Sequence, residues 1–250
     1  MKKRVVLDFG IPIFMLWCLT AVFWFTNLDI EIEAYFYSPE ERWIHKDSNP
    51  WDFLYHYGNI PAFTIAGVSI CILAASLASK RFLRYRKITV FLLLVLAIGP
   101  GIITHSIFKE NWGRPRPKHI VEFGGAEKFL PVWAKGISEK GKSFPSGHAA
   151  VGYYTLTPFF FLRRINGKYA LVVLFAGLSY GSLMGLGRMI QGAHFASDVL
   201  WSGGFTYLTG LLVYYLLRFY RTIWWDKGKG EGTSRRSQTS RNFRCSVLGQ

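Results

Sequence analysis

Cysteine is scarce, with three in 250 residues. Cys18 and Cys71 fall inside hydrophobic stretches and Cys245 lies near the C-terminus. That spacing argues against a disulfide framework and excludes a thiolate metal cluster. No internal repeat is visible. Carboxylates are also short: 15 Asp and Glu stand against 30 Lys and Arg, a formal net charge of +15. Such an excess can mark a nucleic-acid binder, but here the basic residues follow the edges of apolar segments, so no nucleic-acid partner is expected. The first apolar stretch follows Lys2-Lys3-Arg4 yet has no small-residue cleavage site. It therefore reads as a retained helix rather than a signal peptide.

What is abundant is hydrocarbon. Half of the residues are hydrophobic, among them 9 Trp, 13 Tyr and 21 Phe. Apolar segments fall at 9–26, 60–79, 88–108, 147–162, 169–187 and 199–217, each near the length that crosses ~30 Å of bilayer core. Gly99-Pro100-Gly101 inside one of them is tolerable in a helical bundle. The expectation is an all-α polytopic membrane protein, six transmembrane helices in a bundle over 1–225. A basic disordered tail rich in Gly, Ser, Thr and Arg would follow over 226–250.

Charge sets the orientation. With six spans both termini share a side, and that side carries Lys2, Lys3 and Arg4; Lys80, Arg81, Arg84, Arg86 and Lys87; Arg163, Arg164 and Lys168; and Arg218, Arg221 and the tail. Residues 28–59, on the other side, hold Asp29, Glu31, Glu33, Glu40, Glu41, Asp47 and Asp52 against Arg42 and Lys46. The positive-inside rule then makes both termini cytoplasmic. In the loop of 109–145, Trp112, Phe123, Phe129 and Trp133 are expected at headgroup level.

Three polar stretches interrupt this pattern: Lys109 to Pro117, Pro145-Ser146-Gly147-His148, and Arg188 to Asp198. Each lies at the edge of an apolar segment, all on the face opposite the termini. Ionisable groups there are costly and mark function. His194 and Asp198 are four apart, so on a helix they share a face. Asp198 can then accept from one ring nitrogen and leave the other as a nucleophile. Arg188 lies across Gln191-Gly192-Ala193, where a helix break would fold it back towards the same phosphate. Ser146 is a good N-cap, and the helix start it opens, with Gly147, suits phosphate. His148 follows, placed to donate a proton to a leaving oxygen. Arg116 offers a planar fork and Lys109 a point charge to phosphate oxygens.

The other histidines, His45, His56, His105 and His119, read as surface residues, as do Arg114 and Lys118. His148, His194 and Asp198 are of types that ligate zinc, but Lys109, Arg116 and Arg188 would crowd a cation with like charge. An anion suits the pocket, and neither metal nor cofactor is expected. A transporter or an idle scaffold would not need a proton donor beside a nucleophile and its orienter.

The pattern resembles the type 2 phosphatidic acid phosphatase superfamily: Lys, six residues, Arg-Pro at 109–117; Pro-Ser-Gly-His at 145–148; and Arg, five residues, His, three residues, Asp at 188–198. One departure is Gly187, where the family often has Ser. The resemblance implies a metal-free six-helix phosphatase. His194 would form a phosphohistidine oriented by Asp198, with His148 as general acid. Lys109, Arg116, Ser146, Gly147 and Arg188 would bind the phosphate. The stretches 99–101, 108–117 and 192–198 look like the bacterial lipid A 4′-phosphatase subgroup, and are shared in part with relatives acting on phosphatidylglycerophosphate, phosphatidate or undecaprenyl diphosphate. This implies a bacterial inner-membrane enzyme with its site facing the periplasm. Its partners would be a lipid phosphate and the bilayer, with no obligatory protein partner.

Overall fold

Inside hydrocarbon an apolar chain satisfies its backbone by closing every hydrogen bond within itself, which a helix does. The computed structural model describes residues 2–138 and 141–220, and these are mostly helical. The long opening helix α1 (Lys2–Phe25) leads to a short α2 (Leu28–Ala34) and a two-strand hairpin, β1 (Tyr37–Ser38) with β2 (Arg42–Trp43). Then come α3 (Trp51–Tyr57), α4 (Ile60–Ala78) and α5 (Arg86–Leu96), which runs on as a π-helical stretch (Ala97–Lys109). After the motif loop follow α6 (Gly147–Tyr154), α7 (Phe159–Leu162), α8 (Gly167–Ile190) and α9 (Ala196–Leu216). The tail of 226–250 and Arg221 lie outside the described residues.

Among the described residues, five stretches are long and apolar enough to cross a membrane: Lys3–Phe25, Trp51–Ala78, Lys80–Lys109, Gly167–Ile190 and Ala196–Leu216. The chain is thus a multi-pass membrane protein. The expected span of 147–162 is not one continuous helix. Turns occupy 155–158 between α6 and α7. Pro158 offers no N–H, and its ring crowds the carbonyl one turn earlier. Thr155 and Thr157 turn their hydroxyls back onto the carbonyls of Gly152 (2.7 Å) and Tyr154 (2.8 Å). The wide turns after α5 have a similar origin, since Pro100 sits inside them without a donor.

The centre of the bundle is α6, packed on α8, α9 and the π-helical stretch. Small residues make the close approach possible. A Cβ on Gly177 would fall 2.5 Å from Leu156, one on Gly181 2.2 Å from the Tyr153 ring, and one on Gly185 2.2 Å from Val199. Outward faces are apolar, as at Phe14 on α1 and Phe175 on α8, both exposed, which suits lipid as their solvent. The loop aromatics do not form an outward belt. Trp112 and Trp133 pack inward with Phe108, Phe144, Trp201 and Phe205, and Phe123 packs with Trp43 and Phe195. They fill the space between the motif loops and the helices.

Gly181→Leu is expected to drive a branched side chain into Tyr153 and separate α6 from α8. The thermal unfolding midpoint in detergent should fall, reflecting about 1–3 kcal/mol of overpacking. A midpoint equal to that of the unmutated protein would contradict this packing.

Candidate active site

The turn between α8 and α9 begins with a helix stop. Gly192 takes φ +61°, Gly192 N–H donates to the Met189 carbonyl (2.7 Å) and Ala193 N–H to that of Arg188 (3.0 Å). This is the paired C-terminal closure that a glycine after the cap permits. The chain reverses there, so the expected break brings Arg188 and His194 to one place. His194 lies in the turn before α9, not on a helix shared with Asp198, which sits in the first turn of α9 and accepts from Phe195 N–H (2.8 Å).

The loop after Lys109 folds back on itself. Gly136 N–H donates to the Trp112 carbonyl (3.0 Å) and Ser143 N–H to the Arg114 carbonyl (3.0 Å). Ser143 is thereby held beside the third motif. Its carbonyl lies 2.5 Å from His194 Nδ1. A carbonyl only accepts, so Nδ1 carries the proton and Nε2 keeps its lone pair. Asp198 was expected in that role, but its Oδ2 is 3.8 Å from Nδ1. Its oxygens are engaged elsewhere: Oδ2 accepts from Ser143 Oγ (2.6 Å) and Oδ1 from Arg114 Nη1 (2.5 Å). Asp198 therefore reaches the imidazole through Ser143.

Arg114 is no surface charge. It is fully buried. Its Nε donates to the Leu130 carbonyl (2.9 Å), Nη1 also to Ser197 Oγ (2.8 Å), and Nη2 to Asp29 Oδ2 (2.7 Å), while the Phe195 ring lies 4.3 Å from its guanidinium carbon. Asp29, from α2, also accepts from Ser197 N–H (3.0 Å) and Oγ (2.5 Å). Burial opposes the Arg114 charge, but Asp198 and Asp29 more than offset that and raise its pKa. Glu33, one turn beyond Asp29, is buried with neither carboxyl oxygen hydrogen-bonded among the described residues. Burial first, then the charges of Asp29 and Asp198, raise its pKa well above the usual carboxylate range.

Residues expected to bind phosphate come together near His194. Lys109 lies within electrostatic reach of Arg116, Arg188 and Asp198, and His194 within reach of Lys109 and Arg188. Ser146 is buried and caps α6, accepting from Ala149 N–H (3.4 Å). A Cβ on Gly147 would stand 3.4 Å from Lys109 Nζ, so the start of α6 lies beside the amine. Arg188 hydrogen-bonds Gln191, and its Nε is buried without a partner among the described residues, a donor placed for an anion. The His148 ring stacks on that of Tyr55 at 5.1 Å, and the Arg188 guanidinium lies 4.5 Å from the same ring. Tyr55 on α3 thus braces one cation and one histidine together. His45, His56, His105 and His119 are exposed as expected.

Residues 88–222 match the model of the PAP2 superfamily. The chain belongs to the PAP2 superfamily. It is 34% identical to the lipid A 4′-phosphatase of Francisella tularensis subsp. novicida over 77% of this chain and 87% of the relative. The lipid A 4′-phosphatase of Rhizobium etli is 38% identical over 46% of this chain and 44% of the relative. Phosphatidylglycerophosphatase B of Bacillus subtilis is 31% identical over 54% of this chain and 59% of the relative. No solved structure matches significantly. The residues matched to the PAP2 model include every motif residue above, whereas Asp29, Glu33 and Tyr55 precede them. No motif flags those three, and only the charge of a carboxylate beside an apolar segment hinted at Asp29.

Burial pushes the His194 imidazole down to about 3, with the Lys109 and Arg188 cations adding to the effect. The unfolded chain would protonate it near 6.5. Between those values the unfolded state binds the extra proton, so stability falls as pH falls through the window and is unaffected above it. The loss attributable to His194 should reach about 2 kcal/mol by pH 5. His194→Asn should flatten the drop in unfolding midpoint between pH 7.5 and 5, and an unchanged slope would refute the assignment.

Proposed function

We propose that the protein hydrolyses a phosphomonoester of lipid A, the 4′-phosphate, through a phosphohistidine on His194. A phosphatase acting on lipid phosphates is supported by the PAP2 family and by the named activities of the relatives. The observation that supports the mechanism is the placement of His194: buried, with Nδ1 tied to the Ser143 carbonyl and Nε2 left with its lone pair near Lys109 and Arg188. In this reading Nε2 attacks phosphorus while Lys109, Arg116, Arg188 and the start of α6 hold the equatorial oxygens. The bond from phosphorus to the lipid oxygen breaks, and His148 gives that oxygen its proton. Water then attacks phosphorus, returns a proton to His148 and frees His194 as inorganic phosphate departs. The cationic pocket favours chemistry without a metal.

The choice of lipid A rests on the Francisella relative, which spans most of the chain. The Bacillus relative favours phosphatidylglycerophosphate as the alternative. With the broken segment 147–162 counted as a sixth crossing, the Lys and Arg distribution puts both termini in the cytoplasm. The site then faces the periplasm from the inner membrane.

The test is a quench of purified protein turning over phosphate-labelled lipid A in EDTA. Acid-labile, base-stable label on the protein is expected, absent in His194→Ala. Asp198→Asn should slow turnover by on the order of 10²–10⁴. His148→Ala should lose lipid hydrolysis but retain cleavage of a nitrophenyl phosphate, whose leaving group departs unprotonated. Label persisting in His194→Ala, or activity abolished by EDTA and restored by zinc, overturns the mechanism.

A further inference from the structure

Two lysines beside the site have no ion-pair partner among the described residues and no role in the reaction above. Three segments meet at the Gly192 turn. The Trp43 ring lies against it, where a Cβ on Gly192 would come within 2.2 Å of that ring. Gln191 accepts from Arg188 and donates through Nε2 to the Lys46 carbonyl (3.3 Å). Lys118 N–H donates to the Gly192 carbonyl (3.1 Å). Lys46 and Lys118 are thus held by their backbones to the turn that carries Arg188 and leads to His194. Their side chains stay at the rim, Lys46 exposed and Lys118 half-buried.

The charges there have one sign. Lys118 lies within electrostatic reach of Arg116, Lys46 and Arg188. No ion pair among the described residues neutralises Lys46, Arg116 or Lys118. Asp47, next to Lys46, is exposed and pairs with neither lysine. Burial, with the charges of Arg116, Lys46 and Arg188 behind it, lowers the Lys118 amine below its ordinary range. Clustered like charges repel, and repulsion is relieved when an anion binds among them. Lys109, Arg116 and Arg188 already suffice for one phosphate, which leaves Lys46 and Lys118 over.

We propose that Lys46 and Lys118 form a second anion subsite at the rim, which takes another phosphate or carboxylate of the same substrate molecule. The subsite deepens the phosphatase reading and rests on it. Lys46 and Lys118 flank the Gly192 turn, so the second anion lies on the side of the β2 to α3 connection, within the span of one headgroup. A lipid with a single phosphate leaves the subsite empty, whereas a glycolipid with two anionic groups fills both. The lysines therefore act as a selectivity filter for polyanionic headgroups, and their grip weakens as salt screens it.

The test uses two synthetic acylated diglucosamine lipids in neutral detergent, one phosphorylated at the 4′ position alone and one at both ends. The unmutated protein should show at least a tenfold higher kcat/KM for the doubly phosphorylated lipid at low ionic strength, shrinking as sodium chloride is added. In Lys46→Gln/Lys118→Gln the ratio should fall towards one, with the size-exclusion profile unchanged. A ratio that stays the same in the double variant overturns the subsite. Added phosphatidylglycerol that speeds the singly phosphorylated lipid in the unmutated protein only would assign the anion to a neighbouring lipid, overturning the same-molecule claim. The ratio of Kd values for the two lipids on His194→Ala protein decides the subsite without turnover. Absence of phosphate release from both lipids would instead refute the phosphatase reading.

Discussion

A guanidinium without water must be met on every side, and Arg114 is met by Asp29, Asp198, Ser197 and the Leu130 carbonyl. Removing one partner from such a buried set strands a charge at a cost of about 3–5 kcal/mol. The set is therefore formed whole or not at all. Its members come from α2, from the loop after Lys109 and from the start of α9, so satisfying Arg114 fixes where these three segments lie. At the same point, burial and the charges of Asp29 and Asp198 raise the Glu33 pKa.

The reactive geometry follows from that anchor. Asp198, held by Arg114, accepts from Ser143 Oγ, and Ser143 turns its carbonyl to His194 Nδ1. The imidazole is oriented by a chain of hydrogen bonds rather than by a carboxylate alone. Across the pocket, Tyr55 braces His148 and Arg188. Interior contacts set the direction of the two histidines. In the proposed reading, the cations at the surface of the pocket, extended by Lys46 and Lys118, set what kind of headgroup can approach.

Much of this was legible in the sequence, because polar motifs at the edges of apolar segments stand out. Ser146 caps its helix, Gly192 stops one, and Lys109, Arg116, Arg188, His148 and His194 gather as their positions implied. The partner of Nδ1 was not legible, since a backbone carbonyl leaves no side-chain signature. Arg114 and Arg116 stand two apart in the same Pro-rich run, and nothing local says which turns inward. Asp29 lies 85 positions from Arg114, and a single sequence carries no sign of a pairing at that range. Periodicity also overstated the continuity of 147–162, where the Pro158 break and two threonine back-bonds won over hydrophobicity.

Asp29 is expected to act on catalysis through Arg114 and Asp198 rather than by itself. A double-mutant cycle on kcat for lipid phosphate release, with Asp29→Asn and Asp198→Asn, measures this directly. If the chain of contacts operates as a unit, Asp29→Asn slows turnover alone but adds little once Asp198→Asn is present, so the double variant matches the slower single one. Losses that multiply independently would contradict the account.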